Sequence, residues 1–426
     1  MTDPTPEQHP TAGQHPAAEH QRPDSPRHLS RQQQQIKLIL DADPSMAAGP
    51  KDGDGGVTEY LYRKGSVLVR SQYVDQVRRL ASTEVTGETA GVMRGIERMG
   101  VRDTMAAMRV IINACGPGVA SPDHAVSITP GDCGCCPATE PEPVAANRLT
   151  RPALETDPAI GAGVRVVVID TGLDPRSVDK HPWLTGVTGD DDPGATGPGS
   201  PLETYAGHGT FIAGVVRSVA PGAEVIVRRG FRPKGVVYET DLIKTLIEVL
   251  QNDHPDVISL SAGTWAYDPT GLISFDAFYE TYLSAHKGVV LVAAAGNNGD
   301  RKPFWPAAYP WAVSVGALDV NWGQRALFSD FGGWVDVYAP GEDIINAFPE
   351  GIYTYEEEDN TGRQATFTGL ARWSGTSFST PMVAGLIAAR MARTGENGLT
   401  AAAALLTQAR AAHQPGVGPI LLPPVA

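Results

Sequence analysis

Val164-Arg165-Val166-Val167-Val168-Ile169 is a nearly unbroken apolar run that stops abruptly at Asp170-Thr171-Gly172. A strand that is apolar on both faces has to be covered on both faces, as in a parallel sheet between helical layers. The pattern returns at Val225–Val227, Val257–Leu260, Val289–Ala294 and Trp311–Val315. Segments between these runs, such as Asp241–Gln251, carry apolar residues at helical spacing. Alternating strands and helices predict an α/β domain, a mostly parallel sheet flanked by helices, over residues 158–426. Open sheets of this kind place their sites at the carboxyl ends of the strands, where Asp170 and Asn297 fall.

The rest of the chain is of a different character. Residues 1–56 begin with a Pro-, Gln- and His-rich stretch almost free of large apolar side chains, which predicts a disordered tail. Its histidines (His9, His15, His20, His28) are irregularly spaced and read as solvated rather than metal-binding. Residues 57–128 read as a small α+β unit. Strands are expected at Ser66–Val69 and Val92–Met99, helices at Tyr73–Ala81 and Asp103–Ile112, and a closing strand at His124–Ile128. A Cys- and Pro-rich linker, 129–157, follows. Cys133, Cys135 and Cys136 lie close together, but zinc sites pair such ligands with a second distant pair, and only Cys115 remains. Reduced thiols are expected.

A formal charge of −14 argues against a nucleic-acid partner. No apolar run reaches the length of about 18 residues that a membrane span needs. The start, Met1-Thr2-Asp3-Pro4, has neither a basic nor an apolar leader pattern. A cytoplasmic location is expected, with secretion as the alternative.

Three segments carry the chemistry. Asp170 ends the first strand. His208 opens a helix of small residues in Gly207-His208-Gly209-Thr210-Phe211-Ile212-Ala213-Gly214. Ser377 opens another in Gly375-Thr376-Ser377-Phe378-Ser379-Thr380-Pro381, which runs to about Arg393, with Pro381 expected in its first turn. Each residue also has a bland role: a strand-end cap, a surface histidine, an N-cap. Together they are what an acyl-transfer nucleophile requires. A serine is activated only if an imidazole takes its proton and a carboxylate holds that imidazole in the right tautomer.

These motifs resemble those of the subtilisin-like serine proteases (subtilases), whose Asp, His, Ser order they share. The resemblance runs from about Ile160 to Arg410. It implies an endopeptidase with Asp170, His208 and Ser377 as its triad. In Ala294-Ala295-Gly296-Asn297-Asn298-Gly299 it implies Asn297 as the oxyanion-binding side chain. It makes Ser259-Leu260-Ser261-Ala262-Gly263 a substrate-pairing edge, with Ser261, Ala262, Gly263, Ala295 and Gly296 around the first specificity pocket. Phe304, just before Trp305-Pro306-Ala307-Ala308-Tyr309-Pro310, would stand on that pocket's floor, where family members commonly carry a small residue. Protein or peptide substrates are implied, and no cofactor.

The chain departs from the family at Phe211, where His is usual, and at Thr264, where Gly is usual. The loop that carries a calcium site in well-known members is absent. Asp190-Asp191-Asp192 and Glu356-Glu357-Glu358-Asp359 are the remaining acidic runs, read as solvated loops before calcium ligands. The small N-terminal unit is similar in size and rhythm to the family's prodomains, which chaperone and inhibit. On that resemblance the chain would be a zymogen cut between about Thr129 and Asp157. Alternatives are a retained partner-docking unit, a catalytically silent binding scaffold, and a peptide ligase or transferase using the same triad.

Overall fold

The computed structural model describes residues 31–49, 58–128, 138–144, 152–232, 234–356 and 360–424. Its centre is a seven-stranded parallel sheet, in the order Thr188–Gly189, Glu224–Arg229, Arg165–Asp170, Val257–Leu260, Val290–Ala294, Ala312–Leu318, Val337–Pro340. Successive residues along a strand face opposite sides, and here both sides are covered. Val166 and Val168 join a core with the helices His208–Val219, Thr376–Thr394 and Gly398–Ala411. Val167 and Ile169 join a second core with Glu239–Glu248 and Ile273–Thr281. The unbroken apolar runs are thus explained: every residue has a hydrophobic destination.

The N-terminal unit is an antiparallel sheet in the order Val85–Met93, Ile96–Val101, Ser66–Arg70, Ala120–Ser121. One face packs the helices Val74–Leu80 and Thr104–Cys115 through Val67, Val69, Met99, Met108 and Ile111. The other face turns Leu68 and Ile96 onto Ile273 and Ala277 of the large domain.

Four expectations need correction. The stretch expected as strand Val92–Met99 is a hairpin, because Gly95 at φ +92° turns the chain between two strands. The strand expected to close the small unit, observed at Ala125–Ser127, instead pairs antiparallel with Val236–Tyr238 of the large domain. The tail assigned to 1–56 is ordered over part of its length. Arg31–Ala42 is a helix, and Met46–Gly49 pairs with Tyr60–Arg63. Ile39 and Met46 bury themselves against Ala125, Val236 and Tyr238, which supplies the apolar burial the tail's composition had seemed to lack. Residues 1–30 and 50–57 lie outside the described residues, as do Cys133, Cys135 and Cys136.

The fourth correction concerns Pro381. The helix begins at Thr376, so Pro381 lies in its second turn. The missing N–H would have bonded the Ser377 carbonyl, and the Ser261 hydroxyl takes its place at 2.9 Å. No helix among the described residues is long and apolar enough to cross a membrane.

Candidate active site

Asp170 is the last residue of its strand and is fully buried, with its carboxylate held by the Thr171 N–H at 2.8 Å. Both of its oxygens face His208 Nδ1, at 2.8 and 2.9 Å. A histidine gripped this way carries its proton on Nδ1 and leaves Nε2 as the base. His208 Nε2 is buried and has no partner among the described residues. The surface-histidine role is therefore excluded: His208 is 0% exposed. The two elements approach closely because Gly209 has no side chain; a Cβ there would run into the Gly172 carbonyl.

Ser377 is the second residue of its helix, two positions past the N-cap, Gly375. Its neighbour Phe378 packs on His208 with ring centroids 5.6 Å apart, and Trp373 meets the imidazole edge-on at 5.3 Å. These apolar rings wall the imidazole from water on two sides. The serine and histidine helices pack tightly, Gly385 lying against Val216 and Val219.

Asn297 is oriented by a residue the sequence reading passed over. Thr376, the residue before Ser377, donates to Asn297 Oδ1 from its N–H at 2.8 Å and from its hydroxyl at 3.0 Å. These two bonds fix the amide oxygen on Thr376 and so set which end of the Asn297 amide is the donor. Asp330 braces the same loop: its carboxylate accepts from the N–H groups of Asn298 and Asp300 at 2.8 and 3.0 Å, and its own N–H donates to the Gly296 carbonyl. Burial pushes the Asp330 carboxyl up to about 7, against the pull of the Asp300 and Asn298 bonds.

Asp192 does similar work on the other side. It accepts from the Thr171 hydroxyl at 3.0 Å, the Gly207 N–H at 2.7 Å and the Gly194 N–H at 2.9 Å, so it ties the end of the aspartate strand to the start of the histidine helix. Burial raises its carboxyl to about 6, and the charge of Asp170 adds to this. Its neighbour Asp190 is taken by Arg228 and the Arg229 N–H. No group of three His, Cys, Asp or Glu side chains gathers as a metal site among the described residues. In the second acidic run, Glu356 pairs with Lys234, and Glu357, Glu358 and Asp359 are not described.

The pocket residues assemble beside these groups. Ser261 and Ala262 are buried, and Ser261 binds the serine helix rather than facing an open groove. Gly263 exchanges two hydrogen bonds of 3.0 Å with Ser127. Ala295 and Gly296 lead into Asn297. Phe304 is 2% exposed, its ring wedged between Gly263 and Gly296; a methyl on Gly296 would sit 3.1 Å from its Cδ1. Sequence reasoning missed the second grip on the docked strand, Val236–Tyr238 and the Gly235 carbonyl, which accepts from the Ile128 N–H at 2.9 Å. It also missed Thr376, Asp192 and Asp330. The signals available were Thr376's place in the serine motif, to which no role was attached, and Asp192's place in an acidic run, which was read as a solvated loop.

Comparison with known proteins bears on the family and the fold. The chain is 29% identical over 329 residues to an alkaline protease of Alkalihalobacillus alcalophilus, covering 75% of this chain and 77% of that one. It is 30% identical over 263 residues to a subtilisin of Bacillus pumilus, covering 58% of this chain and 83% of that one. The fold is similar to that of fervidolysin from Fervidobacterium pennivorans, described as a keratinolytic enzyme related to subtilisin. That likeness has a TM-score of 0.55 at 20% identity and covers 88% of this chain and 61% of the other. The sequence model of the Subtilase family matches residues 161–417, more than half of the chain. The chain belongs to the subtilase family of serine peptidases.

Proposed function

We propose that the chain is a serine endopeptidase that works through an acyl-enzyme. Ser377 Oγ attacks the scissile carbonyl while His208 Nε2 takes its proton. Asp170 holds the other ring nitrogen and stabilises the imidazolium that forms. The tetrahedral oxyanion is met by the Asn297 amide and the Ser377 N–H at the mouth of the helix. The imidazolium then protonates the leaving amine, and water repeats the sequence to release the acid. The observation that carries this reading is the two-oxygen grip of Asp170 on His208 Nδ1, with His208 Nε2 buried beside Phe378 and without a partner among the described residues. A silent scaffold needs no such tautomer control. Hydrolysis is favoured over ligation as the simpler use of the same groups.

The N-terminal unit is proposed as an inhibitor of the domain that follows it, and the chain as a zymogen. Its last strand is held antiparallel between Val236–Tyr238 and Gly263, in the way an extended peptide adds to sheet edges through main-chain bonds. Phe304, filling the space between Gly263 and Gly296, supports a preference for small or medium apolar residues before the scissile bond. The test is to treat the purified chain with a fluorophosphonate and map the adduct by peptide mass spectrometry. Labelling on Ser377 is expected, and it should vanish in His208→Ala. Labelling elsewhere, or none on a folded and proteolytically processed chain, would overturn the assignment.

A further inference from the structure

The chain meets the surroundings of Ser377 twice. The first contact is the strand Ala125–Ser127, whose antiparallel pairing with Gly263 runs it toward Ser261, the residue bonded to the Ser377 carbonyl. The second is Ala138–Pro143, which starts beside Ser374 and leaves along the hairpin formed by the strands Ile344–Thr354 and Gln364–Trp373. The Thr139 carbonyl accepts from Trp373 Nε1 at 2.6 Å, and its hydroxyl accepts from the Ser374 N–H at 3.2 Å. Glu142 and Pro143 then lie opposite Arg372 and Ala371, so the segment moves away from the nucleophile as residue numbers rise. One piece of chain approaches Ser377 and the next departs from it, with the polarity of a peptide lying across a protease.

The departing segment is held by more than main-chain pairing. Glu140 Oε1 accepts from the Tyr353 hydroxyl at 3.1 Å and from the Glu356 N–H at 2.8 Å. Tyr353 is 2% exposed, and burial, together with the Glu140 charge, holds its hydroxyl well above the ordinary range, so it remains a donor. The Tyr355 hydroxyl donates to the Pro141 carbonyl at 3.1 Å. Two residues past Glu140, the Glu142 carboxylate meets Arg372 at 2.9 Å. A buried phenol, a backbone N–H and a guanidinium are all donors, spaced for acidic side chains at alternate positions of an extended chain.

We propose that this strip is a subsite for the leaving-group half of the substrate, selective for an extended peptide that carries acid–x–acid, and that the chain's own Thr139-Glu140-Pro141-Glu142 fills it as an internal competitor. The proposal rests on the endopeptidase reading above for its catalytic consequence, but its binding chemistry stands alone. Substrates whose leaving segment is acidic displace the internal segment; neutral or basic ones do not.

The test uses the full chain carrying Glu140→Gln/Glu142→Gln, which weakens the internal segment and leaves the strip itself intact. Fluorescein-labelled Ala-Thr-Glu-Pro-Glu-Pro and its Gln counterpart are titrated against it by anisotropy. The acidic peptide should bind about tenfold more tightly, since bonds to an ionised acceptor are roughly twice as strong as neutral ones. Adding Arg372→Glu, or Tyr353→Phe should that variant not fold, should erase the preference. The same two sequences are then placed after the scissile bond of a fluorogenic substrate, where kcat/KM should favour the acidic one by a similar factor. Equal binding of the two peptides overturns the proposal, as does hydrolysis that ignores the difference. Loss of fluorophosphonate labelling with acid-selective binding intact would instead sink the protease reading.

Discussion

The large domain and the N-terminal unit solve the problem of burial differently. The parallel sheet sends alternate residues into two separate cores, each faced with helices of the same domain, the second also taking in Val126 and Ile128 of the N-terminal unit. The N-terminal sheet completes only one core with its own helices; its other face rests on Ile273 and Ala277, and its last strand pairs across to Val236–Tyr238. Polar ties cross the same boundary, Arg63 to Asp241, Arg70 to Glu280 and Lys302 to Glu59. His124 and Glu239, both fully buried, meet there at 2.9 Å. The large domain therefore carries the candidate site on a sheet covered by its own helices, whereas the small unit completes part of its burial and its last strand's pairing against that domain.

The largest test of that division is the nucleophile. Ser377→Ala should lower peptidase turnover by about six orders of magnitude, and adding His208→Ala should take away little more, because triad members act as a unit. The same variant should remain full length on a denaturing gel while the wild type shortens within 129–157. An active wild type that keeps its N-terminus would show that the small unit is a permanent part of the enzyme. On the proposed mechanism Asn297→Ala leaves Asp170, His208 and Ser377 in place and removes one oxyanion donor, so turnover should fall by about a hundredfold to a thousandfold with KM little changed. A fall in KM alone would place Asn297 outside the oxyanion site.

A core deletion sharpens the contrast in stability. Met108 is 0% exposed in the small unit's only complete core, and Met108→Ala should destabilise that unit by about 2–5 kcal/mol. Hydrogen exchange should then rise across 60–128 and leave the parallel sheet protected. Equal loss of protection in Val257–Leu260 would show that the two regions unfold as one.

The comparison also explains what could be read from the residues alone. The parallel strands and the Asp170–His208 pair were legible because their signals are local: continuous apolar runs, a polar residue at a strand end, small residues around His208. The small unit's last strand was visible as a strand but not as a docked one, since its partners lie more than a hundred residues away in Val236–Tyr238. Arg94-Gly95 was a turn signal that an apolar pattern on both sides obscured. The helix Arg31–Ala42 was masked by the polar stretch before it, although Ile36, Ile39 and Leu40 supply apolar side chains. Thr376 lies inside the serine motif but nothing in the motif marks its bond to Asn297, and Asp192 and Asp330 have no catalytic motif at all. A buried carboxylate that braces a loop is defined by which N–H groups happen to surround it.

A smaller effect concerns selectivity. Phe304 occupies the gap between Gly263 and Gly296, and Phe304→Gly should open it. Cleavage after Phe should then rise relative to Ala by tenfold to a few hundredfold, the range that apolar volume confers. A P1-varied peptide library on both enzymes measures this. Should the variant lose stability and keep its ranking, the ring would be a core residue and no more.

The smallest expected effect is a pH trend in stability, and its sign distinguishes the scaffold's bracing carboxyls from ordinary surface ones. Asp192 and Asp330 are raised to about 6 and about 7, chiefly by burial, from an unfolded value of 3.8. A carboxyl whose folded value lies above its unfolded one binds its proton more tightly in the native state. The resulting stability is fully present below pH 3.8 and is lost as pH rises through the folded values of about 6 and 7. Each unit of difference corresponds to about 1.4 kcal/mol at most, before relaxation reduces it. Paired surface carboxylates such as Glu396 run the other way, since their Arg partner lowers them. The melting temperature of Ser377→Ala, which avoids self-digestion, should therefore decline between pH 5 and pH 8 by several degrees. Adding Asp330→Asn, which mimics the protonated form at every pH, should flatten the slope most strongly between about pH 5 and pH 7. A melting temperature that rises across that window, or a slope indifferent to Asp330→Asn, would mean that Asp330 stays ionised on its Asn298 and Asp300 bonds, and that the loop behind Asn297 is braced by charge rather than despite it.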